Sequence, residues 1–320
     1  MKIKIKSLKS DKRVYYFDHR HGVLKNKVRT KYQVLSGLMT VALVFGGGSI
    51  AVNKIRDFSQ SKPMPGVYQR ASTTADTSKK SDEPSDKLKN AIPKAREDEQ
   101  LAKQVKDKLK NVPGGQKWSV YVRDLNSDRM ASINADNSIE AAGIGNLFIT
   151  TALEAKTPAN NWNYRGGKQT IAKCVELMIS SADSDCAVAV GKSADLKNAD
   201  NINEGHGFKK TTIGSKDRKT TARETGDLLF RLQNGQLLSD KARRVVFDGL
   251  YGQKQREGVP AGCDEKCLVA SITGESGSVR HDAAIVTSGE ARYVVVIMTQ
   301  GSTWSQIADV SATIRLALKP

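Results

Sequence analysis

The sequence predicts an α/β fold of the α+β kind: an antiparallel five-stranded sheet flanked by terminal helices, with an inserted all-helical subdomain, preceded by one transmembrane helix. Three observations lead there. An uncharged apolar run, "QVLSGLMTVALVFGGGSIAVN" (33–53), follows a basic N-terminus. Two strand-like segments lie early in the rest of the chain and three apolar, β-branched ones lie late in it. Between them the apolar spacing is helical, and helical patterns also open and close this region.

The charge is uneven. Of the formal +17, residues 1–94 contribute 20 basic against 7 acidic side chains, and the remainder only 31 against 27. A nucleic-acid-binding domain would carry its charge on the folded body, so no nucleic acid is expected there. Residues 1–32 form a basic segment, with 11 Lys and Arg against Asp11 and Asp18. The run 33–53 is long enough for a bilayer, which needs about 20 apolar residues. Lys25, Lys27, Arg29 and Lys31 place the N-terminus in the cytoplasm. A cleaved signal peptide is the alternative, but Ser49-Ile50-Ala51 is a poor cleavage site and the 32-residue leader is long for one. The expectation is a single-pass protein of the cell membrane with an extracytoplasmic C-terminal domain. Residues 54–94, with "ASTTADTSKKSDEPSDK", are too polar to bury a core and read as a flexible linker. The basic segment fixes topology or, alternatively, meets anionic lipid or nucleic acid.

The folded domain is expected over 95–320. "REDEQLAKQVKDKLKNV" begins acidic and ends basic, as a helix dipole favours, and Leu101, Val105, Leu109 and Val112 form its apolar stripe. Pro113-Gly114-Gly115 ends it. "WSVYVRDL" alternates Trp118, Val120 and Val122 with polar neighbours, and "MASINAD" is its hairpin partner. From Gly143 to about Gly262 the pattern is mostly helical. "LVASITG", "DAAIVTSG" and "RYVVVIMTQ" are the late strands. Trp304, Ile307, Val310, Ile314 and Leu318 mark a closing helix.

The four cysteines, Cys174, Cys186, Cys263 and Cys267, all lie beyond the apolar run, and an even number there suggests disulfides. Zinc is the rival. The spacings are not C-x-x-C, and His206 and His281 lie far from either pair in sequence, so neither a metal nor a cofactor is expected. The connectivity is not fixed by the sequence, but local pairing would join Cys174 with Cys186 and Cys263 with Cys267.

Three segments bear on chemistry. "EAAGIGNLFITTALEA" is a small-residue turn running into an apolar helix. "LMISSADSDCAVAV" and "VASITGESGSVRHDAAIV" follow at 177 and 269. The first is not a phosphate loop, because "GIGN" lacks G-K-[ST] and follows no clear strand. The order and surroundings of the three, with "TTARETGDLLFRL" and "VPAGC", resemble class A β-lactamases and the related penicillin-recognising serine peptidases, over roughly Ala95–Pro320.

The resemblance implies three motifs, S-x-x-K, S-D-N and K-T-G. Ser and Lys at i and i+3 share a helical face, so an amine can take the hydroxyl proton. The S-D-N serine relays protons, and the K-T-G strand offers a cation and a hydroxyl to the substrate carboxylate. This chain departs at each position: Gly143 stands at the nucleophile, Asn146 at the lysine, Ala182-Asp183-Ser184 at S-D-N, and Ile272-Thr273-Gly274 at K-T-G. No E-x-x-L-N carboxylate motif lies between Gly191 and Thr221. Losing a nucleophile of this kind costs about six orders of magnitude in turnover.

The expectation is therefore a catalytically inactive pseudoenzyme, binding a peptide, a peptidoglycan fragment or an envelope protein. Thr273, Gly274 and Arg280 are the candidates for holding a carboxylate, against a purely structural pairing of Arg280 with Asp282 or another acid. The alternative is a serine hydrolase acting on β-lactams or D-alanyl peptides through another nucleophile. Ser138, Ser180, Ser181, Ser184, Ser271 and Ser276 flank the motifs, but none has a Lys or His at matching spacing.

Overall fold

The computed structural model describes residues 94–113 and 117–318, together with the backbone of two N-terminal strands. Those strands, β1 (Tyr15–Asp18) and β2 (Val23–Asn26), pair antiparallel as a two-stranded sheet. The rest of the basic segment, the anchor expected over 33–53 and almost all of the linker lie outside the described residues. Among the described residues no helix is long and apolar enough to cross a membrane.

The domain begins with β3 (Arg96–Glu97) and α1 (Glu99–Lys110). The helix is shorter than the sequence pattern suggested. Asp98 stops it on the N-terminal side by capping, its carboxylate accepting from the Leu101 N–H at 2.9 Å. The freed residues Arg96 and Glu97 then lie parallel to the edge of β5 (Arg129–Ile133). That short strand makes the sheet six-stranded rather than five-stranded, and its one parallel pairing departs from the all-antiparallel expectation.

The other strands are β4 (Lys117–Asp124) and, late in the chain, β8 (Leu268–Ser276), β9 (Val279–Ser288) and β10 (Ala291–Gln300), in the order β3-β5-β4-β10-β9-β8. Trp118, Val120 and Val122 of β4 face α1 and the closing helix α8 (Trp304–Ala317), as their alternation required. The intervening Ser119, Tyr121 and Arg123 are also buried, a departure from one wet face. The second face is covered by the helical block, so this antiparallel sheet is dry on both sides. Tyr121 and Arg123 both find partners there: the tyrosine hydroxyl donates to Asp227 at 3.0 Å, and the Arg123 guanidinium stacks on Phe230 with one nitrogen 3.7 Å from Asp227.

The helical block comprises α2 (Gly145–Lys156), α3 (Ile171–Ser180), α4 (Ser184–Ala194), α5 (Leu196–Gly205), α6 (Ala222–Gln233) and α7 (Asp240–Tyr251). Two-residue strands β6 (Ile139–Glu140) and β7 (Lys219–Thr220) pair where the chain enters the block and where it starts to return. The core is Leu147, Phe148, Trp162, Val175, Leu229 and Phe247, closed against Ile272, Val296 and Met298 of the sheet. Both disulfides are local, Cys174–Cys186 and Cys263–Cys267.

Candidate active site and its family

The first motif is a single 3-10 turn, Ala142–Ile144, between β6 and α2. Ala142 is left-handed at φ +45°, a conformation that costs an L-residue about 1–2 kcal/mol. The turn lies directly on β8. A Cβ at Gly143 would stand 2.5 Å from the Thr273 carbonyl oxygen and 3.3 Å from Gly274 Cα. Gly274 mirrors this, since its own Cβ would lie 2.9 Å from the Gly143 nitrogen. Two glycines thus let two backbones meet, which is why this stretch is built of small residues. The same contact leaves no volume for a side chain at the nucleophile position.

The remaining positions serve structure. Asn146 is buried, and its amide donates to the Met178 carbonyl at 3.1 Å, tying α2 to α3. Ile272 is fully buried in the core beneath the block. Asp183 is the N-cap of α4, accepting from the Cys186 N–H at 2.9 Å. Ser184, the first residue of α4, is exposed. Ala182, exposed between α3 and α4, is left-handed at φ +52°. Ala182→Gly should therefore stabilise the domain by about 1 kcal/mol in chemical denaturation. A loss of stability would instead mean that the alanine methyl makes a contact worth more than the strain.

Thr273 and Gly274 do sit together at the turn. Arg280 is already occupied, with one guanidinium nitrogen 3.0 Å from Glu275 and another donating to the Ser302 carbonyl at 3.0 Å. Its acidic partner is Glu275, across the β8–β9 pairing, and not Asp282. Asp282 shares the face of β9 with Arg280 but is buried against the turn before β8, accepting from the Val259 N–H at 2.7 Å. Among the described residues none of the flanking serines is hydrogen-bonded to a Lys or His side chain. Ser181 donates to the Leu177 carbonyl and Ser138 to the Lys210 carbonyl, while Ser271 is wholly buried. A groove of about 700 Å³ opens at the end of the sheet, lined by Lys106, Lys117, Trp118, Asn134 and Glu140 among others; Gly143, Ala182 and Thr273 do not line it.

One residue of this region that the motif reading passed over is His281. Strand alternation could have placed it, because it shares the face of Ala283 and Ile285 on β9. It is fully buried, and its ring bridges Glu140 and Thr299.

The profile of the β-lactamase enzyme family matches residues 157–317, half of the chain. The protein belongs to that family. The expected β-lactamase-like domain is thus borne out. The β-lactamase domain also resembles solved structures at low identity. PBP-A superposes with a TM-score of 0.63 at 19% identity, over 71% of this chain and 98% of that one. The β-lactamase from Streptomyces albus G gives 0.61 at 16%, over 69% and 100%. A point mutant of the class A β-lactamase of the last common ancestor of Gram-negative bacteria gives 0.61 at 19%, over 68% and 98%. No curated protein matches the sequence.

Proposed function

We propose that this β-lactamase-family protein is a catalytically silent pseudoenzyme, held in the cell membrane by residues 33–53, with its domain outside and a binding or structural role in the envelope. One observation carries the silence: the backbone of β8 occupies the space in which a nucleophile at position 143 would stand. Acyl transfer needs a nucleophile, a base that takes its proton and room for the tetrahedral intermediate. The region supplies Gly143 for the first, a neutral amide at Asn146 for the second and a closed contact for the third. Occupation of Arg280 by Glu275 also weakens the Thr273–Arg280 carboxylate site, so ligand binding there requires the ion pair to open.

The test is the intact mass of the full chain after incubation with a penicillin and with a cephalosporin. No adduct and no hydrolysis above buffer is expected. A covalent adduct, mapped to any residue, would replace this reading with a hydrolase using another nucleophile. The anchor is tested separately by alkaline washing of membranes, which should leave the protein in the pellet.

A further inference from the structure

The groove of about 700 Å³ at the end of the sheet is within the size range of small-molecule sites. Its walls are regular elements. Lys106 and Lys110 come from one face of α1, a turn apart, and Lys117 and Ser119 from one face of β4. Glu140 on β6 also lines it, with its main-chain carbonyl held by the His281 ring at 2.8 Å. Two features of this lining have no structural use. The first is its charge. The dipole of α1 accounts for Lys108 and Lys110 in its last turn. It does not account for Lys106 or Lys117, and neither is ion-paired among the described residues. Lys110 has only Asp107, at 3.5 Å on the open surface, a kind of pair worth little. Against these three ammonium groups Glu140 is the one carboxylate in the lining among the described residues, and its cross-strand neighbour Lys219 is taken by Asp217. The second feature is Ser119. It is only 3% exposed, yet its hydroxyl has no hydrogen-bond partner among the described residues. Leaving a buried hydroxyl unpaired is costly, so its partner comes from what fills the groove.

We propose that this groove binds a sugar bearing a carboxylate or a phosphate, with the anionic group on Lys106 and Lys117 and the sugar hydroxyls on Ser119 and its polar neighbours. The neighbours fit a polyol. Asn137 and Gln300 line the groove with exposed side-chain amides that have no partner among the described residues. Each amide offers two donors and an acceptor, and the Glu140 carboxylate accepts from hydroxyls. An ammonium is a point charge that suits either anion, so the lysines select the charge and the amides and hydroxyl select the sugar. A cleft lined by one sign of charge also raises the local concentration of its counter-ion. Gly143, Ala182 and Thr273 do not line the groove, so it is usable with the motif turn closed on β8.

Isothermal titration of the full chain at low salt tests this, with glucuronate, glucose 6-phosphate, neutral glucose and inorganic phosphate as the probes. At least one charged sugar should bind saturably, about tenfold more tightly than glucose or inorganic phosphate, and the better of the two names the anion. Lys106→Gln and Lys117→Gln should each weaken that binding about tenfold, since each removes a charge-assisted contact. Ser119→Ala should weaken it about threefold and leave stability unchanged, because no bond within the protein is lost. Lys192→Gln, exposed on α4, removes the same charge outside the groove and should change nothing. No saturable binding of either charged sugar would overturn the proposal. So would equal affinity for inorganic phosphate, binding that survives Lys106→Gln and Lys117→Gln together, or an equal loss in Lys192→Gln. A β-lactam adduct would sink the silent reading of the cleft and leave this groove untouched.

Discussion

Gly143→Ser is expected to cost roughly 3 kcal/mol of stability and to return no β-lactam turnover. The loss follows from where the new atoms must go. A Cβ at 143 would press on the Thr273 carbonyl at 2.5 Å, and the obstacle is backbone, not a side chain that can swing away. β8 cannot yield easily, because it is hydrogen-bonded to β9 along its length and Ile272 is locked into the core beneath the block. Restoring the rest of the motif deepens the problem. Asn146→Lys would place an ammonium where a buried amide now bonds Met178, and Ile272→Lys would put one in the apolar core. Chemical denaturation and hydrolysis of a chromogenic cephalosporin would measure both halves. A Gly143→Ser protein of unchanged stability would show that the turn and strand part readily, and acylation of that serine would show that the cleft still binds substrate.

The same residues show how far the sequence could be read. The strand segments, the closing helix and the local cysteine pairs are legible because period-2 and period-3.6 patterns and short spacings leave a mark in the chain. Gly143, standing where the resemblance implies a serine, is read directly from the chain. That β8 has closed onto Gly143 is not, since a backbone-to-backbone contact between residues 143 and 274 has no local signature. The sixth strand was hidden for a similar reason. Arg96 and Glu97 have no strand propensity and pair only because Asp98 caps the helix behind them. Arg280 looked available because its partner Glu275 is set by the β8–β9 register, which two residues at the hairpin decide.

Breaking Cys174–Cys186 is the second large effect, an expected loss of about 3 kcal/mol when both are replaced by alanine. The bridge spans 12 residues, joins α3 to α4 with Cα atoms 4.5 Å apart, and both cysteines are buried. The loop it closes contains the whole second motif, including left-handed Ala182 and the Asp183 cap. Cross-linking its ends restricts the unfolded chain, and so holds in the native loop a conformation that alanine disfavours. Cys263–Cys267 closes only four residues at the start of β8, so the same reasoning gives about 2 kcal/mol for its removal. The ranking separates loop closure from packing. If Cys174→Ala/Cys186→Ala costs no more than Cys263→Ala/Cys267→Ala, loop length is not what stabilises this region. If instead the loss for the longer bridge shrinks once Ala182→Gly is present, the disulfide is offsetting the strain of the left-handed turn at Ala182.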